Sequence, residues 1–312
     1  MCAPELAPVL THFFRYSYSE GVVPNSWKTA FVHPIPKKGD RSDPSNYRPI
    51  AITSLFSKIM ESIINCQLMR HQLISDRQYG FRRGRSAGDL LVYLTHRWAE
   101  AVESKGEALA VSLDIAKAFD LVWHKELLLK LPSYGLPEKF SNWIFLADRS
   151  IKVVVDSACS DYKSINAGIP QDCMLSPTLF LLHINDMLLT GNIHCYADDS
   201  TGDALYTSRA NISRENVAEY WDKLVSEVES LLNKVSDWGR LNLVQFNSQK
   251  TQICAITAKK NPFVLSPQFQ GTPLAASASI RILGVDISNS LQFRGHLEEK
   301  AKLASKKLGV LS

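Results

Sequence analysis

The 312-residue chain has no Cys-x-x-Cys pair: Cys2, Cys66, Cys159, Cys173, Cys195 and Cys254 lie far apart, and no histidine spacing matches them. That argues against a disulfide framework or a zinc knuckle and leaves buried or incidental free thiols. The N-terminus lacks a basic stretch followed by an apolar core. No apolar run approaches the roughly 18 to 20 residues that a membrane span needs, so the expectation is a soluble, intracellular protein with no membrane partner. Internal repeats and low-complexity segments are also lacking. What is there, 45% hydrophobic and 21% charged residues, is an ordinary globular mixture long enough for two subdomains.

Formal net charge is only +4, but it is unevenly placed. From Lys28 to Gly88 eleven basic residues stand against four acids, an excess of seven, so the remainder carries −3. A basic part and a carboxylate-bearing part suit a protein that grips a polyphosphate with one and holds metal with the other; a solvated basic surface would have the same composition.

The organising stretch is Tyr196-Ala197-Asp198-Asp199, which follows the apolar run Ile193 to Tyr196 and precedes a turn-like Ser200-Thr201-Gly202-Asp203. A strand entering a tight turn puts both carboxylates at a hairpin tip, where their charges crowd. Mg²⁺ is the usual resident of such an all-oxygen site, because it keeps several waters and takes one or two protein carboxylates plus substrate phosphates. Another acid, Asp114, ends the β-prone run Ala108 to Leu113, a position suited to pointing into a cleft.

Leu6, Val9, Leu10, Phe13 and Phe14 have amphipathic-helix spacing, closed off by Gly21 and Pro24. Trp27 to Pro36 reads as extended, running into the turn Lys37-Lys38-Gly39-Asp40, and Arg48 to Ile52 as a second strand. Thr53 or Ser54 can cap a helix carrying Phe56, Ile59, Met60, Ile63, Ile64 and Leu68. In Gln78-Tyr79-Gly80-Phe81-Arg82-Arg83-Gly84-Arg85-Ser86, aromatics, arginines and glycines suit contact with a nucleic-acid strand, while a solvated loop is the plainer reading. Ser86-x-x-Asp89 has the spacing of a helix cap. Lys152 to Val155 and Tyr162 to Ala167 read as a strand pair, Gly168 to Cys173 as a loop, and Ser176-Pro177 as the start of a helix through Leu189. A helix from Val217 to Trp238 is expected to end at Gly239; Ile253 to Ile256 and Ile280 to Val285 read as strands, and His296 to Leu311 as a last helix.

Ordered motifs then carry a resemblance. Ile35-Pro36-Lys37-Lys38-Gly39-Asp40, Asn46-Tyr47-Arg48-Pro49-Ile50, Gln78-Tyr79-Gly80-Phe81-Arg82, Leu113-Asp114-Ile115 with Ala118-Phe119-Asp120, Gly168-Ile169-Pro170-Gln171, Leu175-Ser176-Pro177, Ile184-Asn185-Asp186, Tyr196-Ala197-Asp198-Asp199 and Leu283-Gly284 follow one another along the chain. In kind and order they resemble the reverse transcriptase domain of non-LTR (LINE-type) retrotransposons, nearest the Jockey and CR1-like groups, over roughly residues 24 to 300.

The resemblance implies an α/β (α+β) right-hand polymerase fold with an antiparallel palm sheet: fingers over residues 1–105, palm over 106–290 and a truncated thumb from 291 to 312. It implies an RNA-directed DNA polymerase that adds dNTPs to a DNA primer on an RNA template by two-metal phosphoryl transfer, with Mg²⁺ or alternatively Mn²⁺. The implied metal ligands are Asp114, the Ile115 carbonyl, Asp198 and, less directly, Asp199, with Lys250 protonating the departing pyrophosphate. Lys37 or Lys38 and Arg48 would clamp the triphosphate, Gln171 would lie near sugar and template, and Phe119 would exclude a ribose 2′ hydroxyl, unless it is a core aromatic. Tyr79, Phe81, Arg82, Arg83 and Arg85 would bind nucleic acid. The implied location is the nucleus and/or cytoplasm, as a retroelement ribonucleoprotein. Asp172 stands where the family normally has glycine, and the endonuclease, first fingers segment and Cys/His region of the family are not in the sequence. A decayed, weakly active nucleic-acid-binding relic is therefore the alternative, with an RNA polymerase of the same fold a weaker third reading, disfavoured by Phe119 and Ala197.

Overall fold

The structure, a computed structural model, describes residues 3–144, 146–171, 173–207, 214–259 and 266–311. In chain order the elements are α1 (Ala3–Glu20), α2 (Asn25–Lys28), β1 (Thr29–Pro36), β2 (Tyr47–Ile52), α3 (Leu55–Arg70), α4 (Ala87–Glu103) and β3 (Glu107–Leu113). There follow α5 (His124–Lys130), α6 (Glu138–Trp143), β4 (Arg149–Val155), β5 (Ala158–Cys159), β6 (Lys163–Ile165), α7 (Ser176–Ile184), β7 (Ile193–Tyr196) and β8 (Asp199–Tyr206). The remainder comprises α8 (Arg214–Asn242), β9 (Gln252–Ile256), β10 (Gln268–Phe269), β11 (Thr272–Pro273), β12 (Ser279–Ile282), β13 (Val285–Ser288) and α9 (Arg294–Leu311). The chain divides into two compact units: residues 1–74 with 117–184, and residues 75–116 with 185–312.

In the first unit β1 pairs antiparallel with β2 and parallel with β4, which also carries β5 and β6. The parallel pairing has to be made by distant chain, because two parallel strands cannot be joined by a tight turn. Ser54 occupies the N-cap position of α3 but makes no side-chain cap bond. Further along that helix Glu61 is buried, accepting from Ser57 Oγ at 2.7 Å and from the Leu175 N–H at 3.3 Å. Those bonds answer a carboxylate that burial pushes above its ordinary pKa.

The second unit is built on the antiparallel sheet β7-β8-β3-β9. Leu90, Leu94 and Trp98, four residues apart on α4, pack on Ala108 and Ala110 of β3, Cys254 and Ile256 of β9, and Ile280, Ile282 and Ile287 of the β12/β13 hairpin. Alanines on the central strand leave room for the Trp98 ring, and each fully buried side chain of this size contributes about 1.5 to 3 kcal/mol. The indole N–H of Trp98 donates to buried Asp203 Oδ2 at 2.8 Å, and Arg97 Nε lies 3.2 Å from the same oxygen. α4 begins with the expected capping box: Ser86 Oγ accepts from the Asp89 N–H at 3.2 Å, and Asp89 Oδ2 from the Ser86 N–H at 2.7 Å.

Four sequence expectations give way to packing. Ser200 to Asp203 is buried strand rather than turn, and Gly202 lies where a Cβ would come within 2.6 Å of Leu231 Cδ2 on α8. Gly239 does not end α8, which runs to Asn242; a Cβ there would meet the Val244 carbonyl at 2.7 Å and the Phe246 ring at 2.9 Å. Ile280 to Val285 is two strands, because Leu283 and Gly284 both have positive φ (50° and 79°) and form a two-residue hairpin turn. The helix from Ser176 stops at Ile184, followed by a 3₁₀ turn at Met187–Leu189, since Asn185 turns its Oδ1 to the Ser75 N–H at 2.8 Å. Among the described residues no helix is long and apolar enough to cross a membrane.

Candidate active site

Strands β7 and β8 close with Tyr196 opposite Asp199, so Ala197 and Asp198 are the two residues of a hairpin turn. Next to it, β3 pairs with β8 as far as Leu113 opposite Ser200, and one further step brings Asp114 opposite Asp199. Three carboxylates thus collect at one end of the second unit's sheet. Burial first, then the charge of Asp114, pushes the pKa of Asp198 above its ordinary value, against a lowering by its own backbone N–H. Asp199 is raised by burial, then by Asp198 and Asp114. Asp198 thus feels the charge of Asp114, and Asp199 that of both, an electrostatic condition that favours drawing a cation.

One cation is already there. Lys250 Nζ lies 3.6 Å from Asp114 Oδ2, on a side chain that stays 67% exposed. Asn247 presents it: its N–H donates to the Asp114 carbonyl at 3.0 Å, while its Oδ1 accepts from the N–H groups of Gln249 at 3.1 Å and Lys250 at 3.2 Å. Asp114, Asp199 and Lys250 line a pocket of about 250 Å³ with Gln252 and Arg281. Ile115 bridges Phe246 through its neighbours' bonds, Ala116 N–H to the Gln245 carbonyl and Asn247 N–H to the Asp114 carbonyl. In that pattern the Ile115 carbonyl points away from Phe246, toward the side where β8 begins. Among the described residues no three His, Cys, Asp or Glu side chains are arranged so that they could by themselves hold a metal ion. An open, all-oxygen set of mutually repelling carboxylates fits an ion that completes its shell with water and phosphate.

The arginine segment behaves less uniformly. Tyr79 is in the core at 5% exposure, with the Arg85 guanidinium 5.0 Å over its ring. Arg82 donates to the carbonyls of Ser75 at 2.7 Å and Gln78 at 3.2 Å, and Arg82 and Arg85 each lie 3.3 Å from Asp76. Phe81 and Arg83 are exposed. Of the five residues assigned to nucleic acid on sequence, these two present most to solvent.

In the first unit a pocket of about 520 Å³ is lined by Lys37, Tyr47, Lys117, Asp120, Arg149 and Gln171, among others. Lys37 Nζ donates to the Ser45 carbonyl at 3.3 Å, and Gln171 Nε2 to Asp120 Oδ1 at 2.9 Å. Tyr47, Pro49 and Ala51 of β2 line this pocket. Arg48 alternates with them and so faces the other side of the sheet. Lys38 is exposed in the turn that follows β1. Phe119 is half-buried, its ring stacked 4.6 Å from that of buried Phe180 and its carbonyl accepting from the Ile169 N–H at 2.9 Å. Asp172 lies outside the described residues. Sequence reasoning passes over Lys117, Arg149 and Arg281, which have no motif signal, and takes Gln78 only as part of a nucleic-acid segment.

Residues 35–287 match the family described as reverse transcriptase (RNA-dependent DNA polymerase). The probable RNA-directed DNA polymerase from transposon BS of Drosophila melanogaster is 29% identical over 298 residues, 88% of this chain and 31% of that protein. The RNA-directed DNA polymerase from mobile element jockey of the same organism is 28% identical over 306 residues, 92% of this chain and 32% of that protein. The chain therefore spans about a third of the length of these relatives. Among solved structures, telomerase from Candida tropicalis with a fragment of telomeric RNA aligns at a TM-score of 0.54 and 13% identity, over 92% of this chain and 48% of that one. The same telomerase without RNA aligns at 0.51 and 12%, over 92% and 53%.

Proposed function

The chain belongs to the reverse transcriptase (RNA-dependent DNA polymerase) family and has a right-hand polymerase fold, and from that premise we propose that it is the RNA-directed DNA polymerase domain of a non-LTR retrotransposon. The observation that carries the activity is the gathering of Asp114, Asp198 and Asp199 in mutual repulsion at one end of an antiparallel sheet. Reverse transcriptases generally use divalent metal ions. In this reading Asp114 and Asp198 hold two Mg²⁺, or Mn²⁺, with the Ile115 carbonyl and Asp199 assisting. The ions, when bound, stabilise the attacking 3′ oxygen of the primer and the leaving oxygen of pyrophosphate.

The chain's own groups do the rest. Lys250, exposed at its tip and held near Asp114, delivers a proton to pyrophosphate as it leaves. Lys37 or Lys38 supplies positive charge for the dNTP triphosphate, with Arg48 set aside because it faces the other side of its sheet; Gln171 contacts sugar and template, and the bulk of Phe119 excludes a 2′ hydroxyl. Phe81 and Arg83 give contact with the RNA template and DNA primer, salt-sensitive through Arg83. Residues 1–105 serve as fingers, 106–290 as palm, and 291–312 as the start of a thumb; the working form is an intracellular ribonucleoprotein. The test is primer extension by the purified chain on an RNA template. Template-dependent dNTP incorporation is expected in Mg²⁺ and should disappear with chelator. Incorporation that survives complete chelation, or none at any Mg²⁺ concentration, contradicts the proposal.

A further inference from the structure

Ala197 has φ 56°, in the left-handed region that side chains with a Cβ avoid. It is the first residue of the carboxylate turn, so this conformation sets the direction in which Asp198 and Asp199 leave the strand. Both backbone polar groups of Ala197 are held by one side chain. Its N–H donates to Gln78 Oε1 at 2.8 Å, and its carbonyl accepts from Gln78 Nε2 at 3.2 Å. The same Oε1 accepts the Gly80 N–H at 2.8 Å. This pattern fixes the amide orientation, since the oxygen faces two donors and the nitrogen an acceptor.

Gln78 is itself completely buried. Its backbone is tied to β7 by a parallel bridge to Cys195, with the Tyr79 N–H on the Cys195 carbonyl and the Cys195 N–H on the Arg77 carbonyl, each at 2.8 Å. Two residues on, a Cβ at Gly80 would come within 2.3 Å of the Ala197 nitrogen, so only glycine lets this segment lie against the turn.

We propose that Gln78 is the positioning residue of the carboxylate turn: its carboxamide, with Gly80 giving the clearance, holds Ala197 left-handed so that Asp198 and Asp199 stay gathered near Asp114 despite their repulsion. This rests on the reading of Asp198 as a metal ligand. A carboxamide is the group required, because it offers a donor and an acceptor side by side. Methionine has the same reach with no donor and only a weak sulfur acceptor, and asparagine has both groups one methylene too short.

The test uses the purified chain, with Mn²⁺ binding followed by electron paramagnetic resonance in the absence of nucleotide, alongside kcat and KM in primer extension. Gln78→Met is expected to weaken Mn²⁺ binding and lower kcat by about tenfold, the usual scale for groups that orient metal ligands, with KM for the RNA template unchanged. Adding Ala197→Gly, which removes the Cβ penalty on positive φ, should recover part of both losses. A folded Gln78→Met chain with Mn²⁺ binding within twofold of the wild type overturns the proposal. So does a loss of activity with unchanged Mn²⁺ binding. If Gln78→Met does not fold, Gln78→Asn, whose carboxamide is one methylene too short to span both groups of Ala197, carries the same test with a smaller expected loss, and wild-type Mn²⁺ binding in it is equally fatal. Asp198→Asn separates the two claims. If that variant binds Mn²⁺ normally, the metal-site reading fails; if it loses binding while Gln78→Met does not, only the positioning role fails.

Discussion

Gln78, buried in the second unit, puts both ends of its carboxamide on a single turn, whereas Lys37, exposed in the first, carries its charge on a stem anchored by one bond to the Ser45 carbonyl. The contrast runs through both pockets. Around the carboxylates the backbone is fixed by the β3/β8 register, the Gln78 clamp and the Asn247 turn. Around the basic pocket the loop from Lys38 to Ser45 is exposed and closed mainly on itself, Asp40 on Ser42 and Asp43 on Ser45. Like charges must be forced together, and only a restrained backbone can do so. Cations gather around a polyphosphate by attraction and can be left on flexible stems.

If the acidic site is the rigid chemical end, the largest effect comes from neutralising it. Asp114→Asn and Asp198→Asn should each lower RNA-templated incorporation by about a thousandfold or more, because an amide cannot hold cations against phosphate charge. Steady-state extension with circular dichroism as the folding check reads this, and retained activity in a folded variant breaks the comparison at its stronger side. On the flexible side, Lys37→Ala removes one charge-assisted hydrogen bond to the triphosphate. It should raise KM for dNTP by about tenfold and leave kcat within about twofold. A collapse of kcat would place Lys37 among the fixed groups instead.

Legibility follows the same division. Asp114 at a strand end and the Ser86/Asp89 cap are local patterns and lie where the sequence places them, whereas the turn expected at Ser200 to Asp203 comes earlier, at Ala197 and Asp198, and Asp199 already belongs to β8. Gly202 and Gly239 read as turn and terminator in the sequence, since nothing in it tells that Leu231, 29 positions on from the first, or Phe246, seven positions on from the second, packs over them. Gln78 reads as part of a nucleic-acid segment for the same reason: its partner Ala197 is 119 positions away. Tyr79 and Arg82 look like binding residues by type, but the fold turns one into the core and the other onto backbone carbonyls.

Two smaller effects sharpen that last point. Phe119→Val should lower Tm by about 2 to 4 °C through loss of the Phe180 stack, and should also admit ribonucleotides. Incorporation assays with rNTPs beside a melting curve separate the roles; undiminished discrimination leaves Phe119 as packing alone. Arg83→Ala should flatten the salt dependence of template binding by about one unit, while Arg82→Ala should act on Tm and leave the slope almost unchanged. Equal slope changes in the two variants would mean that the internal bonds of Arg82 do not hold it from the template.

The claim that the acidic site is kept in repulsion for a cation is tested most directly by thermal unfolding of the wild type and Asp198→Asn at pH 7, with and without Mg²⁺. The pKa values of Asp198 and Asp199 are raised in the folded state, so their favourable contribution exists at low pH and is lost as pH rises through those values. Above that range the charged pair is held together at a cost. Asp198→Asn should therefore melt about 1 to 3 °C above the wild type without metal. Mg²⁺ should raise the wild-type Tm and leave that of the variant nearly still. A variant that melts lower than the wild type, and gains as much from Mg²⁺, would contradict the account.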